Sequence, residues 1–236
     1  MSDVQEKRRG INLGCGTIIL PRERPYHHGA IPEDLYTAPD IEWDNVDRNP
    51  QPGVNKIANL FDYPWRTEDG PLPDNTYDVA IAAHIVEHIP HHIVRNGQIV
   101  PFDDDYQDGW FAWFAELWRI MKPGGIAYVL TPYAWSNAGM SDPTHTRYCT
   151  FATFNYFNNG DDDTESAFRY KLGSRWKIDF NTVIWIPHDQ AYTVVRAKEA
   201  VMVGVGAFNY QQEFAKLIQS NINMASEFTV PMVAVK

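Results

Sequence analysis

Ile11-Asn12-Leu13-Gly14-Cys15-Gly16-Thr17 is the stretch on which the fold reading turns. Gly10 to Leu13 reads as a short apolar strand that runs straight into Gly-x-Gly. Glycines at that point let a ligand lie against bare backbone at the carboxyl edge of a sheet. The full dinucleotide fingerprint asks for a third glycine and a helix that opens at once. Ile18-Ile19-Leu20-Pro21 follows instead. An ordinary tight turn also accounts for two glycines, so the reading needs support from its surroundings.

Downstream, residues 20–40 form an irregular insertion rich in Pro, Arg and His. Ile41 to Val46 reads as a second strand that ends at Asp47. A carboxylate just past a strand end can accept both hydroxyl hydrogens of a ribose. The plainer alternative is a turn residue. Gly16 and Asp47 stand farther apart than the ~20 residues usual for that pairing. Asp44 competes for the role but falls inside the strand. Val54 to Leu60 is a candidate third strand, and residues 61–76 are rich in turn formers.

Tyr77 to Ala83 is a continuous apolar run, the mark of a strand covered on both faces. Residues 85–95 read as helical around a break at Pro90. Residues 109–121 are the clearest helix, with Trp110, Phe111, Trp113, Phe114, Leu117, Trp118 and Met121 at helical spacing. That stripe reads as a face packed on a sheet, with a ligand platform as the alternative. Lys122-Pro123-Gly124-Gly125 stops the helix, and Ile126 to Leu130 is the next buried strand. Two late strands follow, near residues 176–187 and 228–235, with a helix near 209–220 between them. Strands alternating with helices argue for an α/β architecture on a parallel sheet.

The chain has 236 residues, 44% of them apolar, which suits one domain with a single large core. Its formal net charge of −10 opposes a phosphate backbone at long range and argues against a nucleic-acid partner. Cys15 and Cys149 form no CxxC pair and no disulfide framework. The charged N-terminus carries no apolar signal core, and no apolar run approaches the ~20 residues a membrane helix needs. A soluble, cytoplasmic protein is the expectation. The oligomeric state is not legible.

His84-Ile85-Val86-Glu87-His88 has two readings. H-x-x-E-H is the inverted zinc-protease pattern, in which two histidines on one helix face bind the metal and the Glu is general base. Here the motif follows a buried parallel strand directly, which a zinc-binding helix need not do, and no metal is expected. His27-His28 and His91-His92 read as surface pairs. Ser141 to Tyr148 gathers Asp142, His145, Arg147 and Tyr148 in one loop beyond a strand end, where open α/β sheets place substrate-facing groups. A hydrogen-bonded structural loop is the equal alternative. Tyr148, Phe151, Phe154, Tyr156 and Phe157 read as core before pocket.

In this order, the segments resemble class I S-adenosylmethionine (SAM)-dependent methyltransferases. Asn12 to Thr17 resembles the glycine motif of that family. Asn45-Val46-Asp47 resembles the ribose-binding strand end. Asp74 to Val79 with His84 to Ile89 resembles its "DNSFD…H-x-x-EH" segment, and Leu117 to Gly125 its "L-x-R-x-L-K-P-G-G". The resemblance covers roughly residues 10–157, a SAM-binding core. It implies a Rossmann-like, doubly wound, mostly parallel sheet with an antiparallel late strand, and residues 158–236 complete that sheet.

It also implies SAM as cofactor and methyl transfer to a small molecule or glycan. By position, Asn12, Leu13, Gly14, Cys15 and Gly16 match the turn at the methionine end, and Asp47 the ribose acid. Asn59 and Leu60 fall where the family often has Asp-Leu beside the adenine, with Asn departing from Asp. Ala83 and His84 match the strand end facing the sulfonium. The missing third glycine leaves the methionine carboxylate without a matched contact; Arg22 and Arg24 are candidates. A general base is needed only for a hydroxyl or protonated amine, and His84, His88 and His145 are the candidates. The rival functions are a zinc hydrolase using His84, Glu87 and His88, a non-catalytic SAM-binding module, and a nicotinamide-dependent dehydrogenase. The absent third glycine tells against the last.

Overall fold

A computed structural model describes residues 7–22, 31–100, 108–158, 173–187 and 225–236. Arg24, His27, His28, the acidic stretch 161–165 and the expected helix near 209–220 lie outside the described residues.

In chain order the elements are β1 (Arg8–Leu13), α1 (Glu33–Thr37), β2 (Ile41–Asp47), β3 (Lys56–Ile57), β4 (Tyr77–Ala83), α2 (Gly109–Ile120), β5 (Met121–Pro132), α3 (Asn137–Ser141), β6 (Trp176–Lys177), β7 (Ile184–Pro187) and β8 (Ala225–Ala234). They build one sheet in the order β6-β8-β5-β4-β1-β2-β3, with β7 also paired to β8. β3, β2, β1, β4 and β5 run parallel to one another. β8 is antiparallel to β5, β6 and β7. The late strands therefore join the same sheet, and the antiparallel strand is where the resemblance puts it.

The sheet is covered on both sides, as its continuous apolar strands require. Ala80 and Ala82 of β4 pack with Ile11 and Leu13 against Trp113, Phe114 and Leu117 of α2. The alternate residues Val79 and Ile81 pack on the opposite face with Leu35 and Tyr36 of α1 and with Trp43. A strand points successive side chains to opposite faces, so one apolar run serves two cores.

Helix α2 opens at Asp108, whose carboxylate accepts from the Trp110 N–H at 2.8 Å. Its aromatic stripe is core. Trp113 and Phe114 are fully buried, and Trp113 meets Trp65 edge-on with centroids 5.2 Å apart. The indole N–H groups of Trp110 and Trp118 donate to Val86 O and Val235 O, which ties both ends of the sheet to this helix. Glu116 accepts from the Trp65 N–H at 2.9 Å and pairs with Arg119, which also holds Asp74.

Four local expectations change. Residues 85–95 are not helical: a single 3-10 turn at Val86–His88 ends at Ile89, whose ψ of 122° is extended. Pro90 forces that, because it disfavours helical backbone in the residue before it. Val94–Arg95 then pairs with Asp62–Tyr63 and Gln98–Ile99. β3 keeps two residues of the expected 54–60 strand, because the Asn59 side chain accepts from the Phe61 N–H and bends the chain away. Lys122 to Gly125 is no separate turn. Met121 already pairs with Tyr77, and the segment bulges until Ile126 resumes with Val79. The 20–40 insertion contains α1, anchored by buried Leu35 and Tyr36.

Candidate functional site

The strand order reverses between β1 and β4, so their carboxyl ends part and leave a crevice. Gly14 and Gly16 lie at its floor with φ of 64° and 50°, a region that favours glycine. A side chain at Gly14 would strike Ile85 at 2.7 Å, whereas one at Gly16 would meet nothing within 4 Å. Gly14 is packed and Gly16 faces open space.

The Cys15 N–H donates to Val46 O at 3.0 Å. The Gly16 N–H donates to Asp47 Oδ2 at 2.9 Å, and Asp47 Oδ1 accepts from the Asn49 N–H at 2.9 Å. A carboxylate offers about four acceptor sites, so two remain for a ligand. Beneath the turn, buried Asn12 donates to Asn45 Oδ1 and to Ile18 O, and Asn45 donates to Leu20 O. This pair does in side chains what a regular first helix would do in backbone: it fixes the segment after the glycines. Burial and the nearby Asp47 charge push the Cys15 thiol up to about 11, so it is a neutral wall residue at ordinary pH.

Two cavities flank the turn. One of about 490 Å³ is lined by Gly14, Asp47, Asn59, Leu60, His84 and His88 among others. One of about 250 Å³ is lined by Asn12, Gly14, Cys15, Gly16, Ala83 and His84 among others. Gly14 and His84 belong to both. The first is in the usual size range of a ligand pocket, about 300–1,000 Å³. Nine of the ten residues matched to cofactor binding line one cavity or the other. The tenth, Leu13, is fully buried in the core. Asp44 is also core, accepting from the Tyr77 hydroxyl at 2.7 Å and from Arg9 at 2.8 Å. Tyr36, Asn49 and Phe61 line the cavities without having drawn notice in the sequence, because aromatic and amide residues in loops carry no spacing signal.

His84 holds a left-handed φ of 54°, uncommon outside glycine. Its Nδ1 lies 3.4 Å from Glu87 and its Nε2 3.7 Å from Glu227. Burial works against its charge, but the polar contact with Glu87 and the two carboxylate charges outweigh it and raise its pKa. His88 lines the larger cavity, as does Thr144. His145 lines neither cavity, and its Nδ1 lies 3.0 Å from Gly139 O. The H-x-x-E-H zinc geometry is absent, since no helix face carries His84 and His88 together. The described residues that could hold a metal are instead Glu87, His88 and His145, with one ligand atom of each within 4.8 Å of the others. The 141–148 loop clamps this turn: Thr146 and Arg147 N–H groups donate to Glu87 O, and Arg147 reaches Ile89 O, Pro90 O and Asp108. His91 faces Asp108 at 3.6 Å. Phe154 and Phe157 are core, while Tyr148 and Tyr156 are exposed.

No protein-family model matches the chain, and no curated protein sequence matches it. Solved structures do. A SAM dependent methyltransferase from Archaeoglobus fulgidus matches with a TM-score of 0.50 and 17% identity, over 96% of this chain and 86% of that one. The YcgJ protein from Bacillus subtilis matches with a TM-score of 0.47 and 13% identity, over 98% and 93%. An S-adenosylmethionine dependent methyltransferase from Mesorhizobium loti matches with a TM-score of 0.43 and 13% identity, over 96% and 91%. Identities this low speak to architecture alone. Strand order, the antiparallel β8 and the Archaeoglobus likeness agree: the chain has the Rossmann-like class I methyltransferase fold.

Proposed function

We propose that this chain transfers a methyl group from SAM to a small-molecule or glycan acceptor. One observation carries the reading: the Gly16 N–H and the Asp47 carboxylate meet at 2.9 Å between two cavities that share Gly14 and His84. An extended ligand with a nucleoside at one end and a polar tail at the other suits that shape. Residues 10–157 carry this site, and the later strands complete the sheet.

Asp47 keeps lone pairs free for the two ribose hydroxyls. Asn59 and Leu60 take the adenine side of the larger cavity. Asn12, Cys15 and Gly16 take the methionine side, and Ala83 and His84 stand at the junction. SAM, when bound, supplies an activated methyl carbon. The acceptor forms the new bond to that carbon as the carbon–sulfur bond breaks, and the sulfonium becomes a neutral thioether. What the protein adds is alignment at about 3–3.5 Å and exclusion of water. An acceptor hydroxyl or ammonium must also lose a proton. His84, at the junction, is the group placed to take it, with His88 beyond it in the larger cavity.

Calorimetry with SAM tests the reading, followed by co-crystallisation with its demethylated product. Micromolar or tighter binding that Asp47→Ala weakens supports it. No binding of SAM by the wild-type chain would sink it.

A further inference from the structure

We propose that Glu87, His88 and His145 hold a divalent transition-metal ion at the wall of the larger cavity. Their ligand atoms lie within 4.8 Å of one another. His88 and His145 stack edge-to-face, with ring centroids 4.9 Å apart. Such a set, two imidazoles and one carboxylate, suits Zn²⁺, Fe²⁺ or Mn²⁺ better than Mg²⁺ or Ca²⁺, which prefer oxygen.

Two further observations point to a ligand there. The first is the state of the imidazoles. His145 Nδ1 lies 3.0 Å from Gly139 O, and a carbonyl only accepts, so Nδ1 carries the hydrogen. His88 Nδ1 lies 3.3 Å from Thr144 O and 3.2 Å from Thr144 Oγ1. That hydroxyl donates to Asp142 at 2.7 Å, so it too accepts from His88. Those contacts take up Nδ1 on both rings, so Nε2 is the nitrogen offered to an ion; that of His145 stands 3.8 Å from Asp142 Oδ2. Orientation of a metal-binding imidazole by a backbone carbonyl on its other nitrogen is a recurrent arrangement.

The second is Glu87 itself. The residue is 1% exposed, its Oε2 accepts from the Thr131 hydroxyl at 3.2 Å, and among the described residues its Oε1 meets no donor closer than the His84 contact. His84 Nδ1 stands 3.4 Å from that oxygen, long for a hydrogen bond. A buried carboxylate oxygen with one long imidazole contact is under-satisfied, and a metal ion would complete it. An ion bound at about 2.1 Å would hold the ligand atoms roughly 3.4 Å apart, closer than the 4.8 Å within which they now lie.

His88 and Thr144 line the larger cavity, so the ion would face it. There it would polarise an acceptor oxygen as a Lewis acid. That use rests on the methyl-transfer reading, whereas binding of the ion does not.

The test uses the full chain, stripped with chelator and titrated with Co²⁺ and Zn²⁺. We expect one equivalent of Co²⁺ to bind with visible d–d absorption and Zn²⁺ to displace it. His88→Ala and His145→Ala should each weaken Zn²⁺ binding by tenfold or more. On wild-type protein, Zn²⁺ should also shield His88 and His145 from diethylpyrocarbonate, read by peptide mass spectrometry; this arm stands even if a variant fails to fold. No stoichiometric binding, wild-type affinity in both variants, or unshielded histidines would each overturn the site. Metal binding without SAM binding would uphold the site and reject the function above. SAM binding without metal would do the reverse.

Discussion

The backbone N–H of Gly16 donates to the Asp47 carboxylate at 2.9 Å, across two parallel strands and a long insertion. One acid thereby sets the shape of the glycine turn and lines the larger cavity. Asp47→Ala should act on both. A hydrogen bond from a ribose hydroxyl to a charged acceptor is worth about 1.5–3 kcal/mol, whereas the Gly16 and Asn49 N–H groups can turn to water when the acid is gone. SAM affinity should fall by about tenfold or more in calorimetry, with a smaller loss of thermal stability. Unchanged affinity would remove Asp47 from the ribose.

His84 occupies a left-handed backbone conformation that asparagine tolerates and alanine does not favour. His84→Asn therefore removes the imidazole while sparing the backbone. If His84 accepts the acceptor's proton, turnover should drop by about 10²-fold or more with SAM affinity little changed. Single-turnover kinetics beside calorimetry separate the two. An equal fall in both would give His84 a binding role only.

The Cys15 thiol is pushed up to about 11 by burial and by the Asp47 charge. The thiolate is the reactive form, and a free cysteine titrates near ~8.5. Iodoacetamide at pH 8 should thus leave Cys15 largely intact in the folded chain. Its rate should rise about tenfold per pH unit up to pH 10, whereas the unfolded chain levels off sooner. Mass-mapped alkylation rates check this, and a plateau near pH 9 in folded protein would contradict the assigned environment.

Burial opposes ionisation of Asp78, but Lys122, at 2.8 Å, and the Arg9 N–H, at 2.8 Å, overbalance it and hold its carboxyl below the usual range. A depressed acid contributes stability above its unfolded pKa of ~3.9 and loses it as pH falls through the lower folded value. Asp78→Asn should cost about 1–2 kcal/mol at pH 7 in denaturant titrations. The gap from wild type should narrow below pH 4 and close at lower pH. A gap independent of pH would mean that shape, not charge, sets the loss.

Trp113 is fully buried against Trp65, while Trp135 is 56% exposed. Trp113→Ala should cost about 3–5 kcal/mol, and Trp135→Ala should stay within ~0.5 kcal/mol. Chemical denaturation of the two variants compares them directly. A near-neutral Trp113→Ala would return the aromatic stripe to the role of ligand platform.

Much of the fold was legible in residue order. Apolar runs at 10–13, 41–46, 77–83 and 126–130 all became parallel strands, and the 109–121 stripe became the helix over one face as far as Ile120, with Met121 opening β5. What went unread was local competition. Ile89 looked helical by composition, yet Pro90 set its backbone. Asn59 drew a strand to an early stop through one side-chain bond. Such contests are decided by single hydrogen bonds, which periodicity does not register.

Periodicity and glycine placement, by themselves, determined the alternation of strands and helices and the bare turn after β1, because burial and backbone freedom are properties of residue type. Only the tertiary structure decided that Gly16 meets Asp47, that Asn12 meets Asn45, and that His145 comes to Glu87 and His88. Those meetings join segments far apart in the chain, and their geometry follows from sheet order and from loop clamps such as Arg147 on Ile89 and Pro90. Contacts of that kind are set by how the whole core packs, which no short stretch of residues encodes.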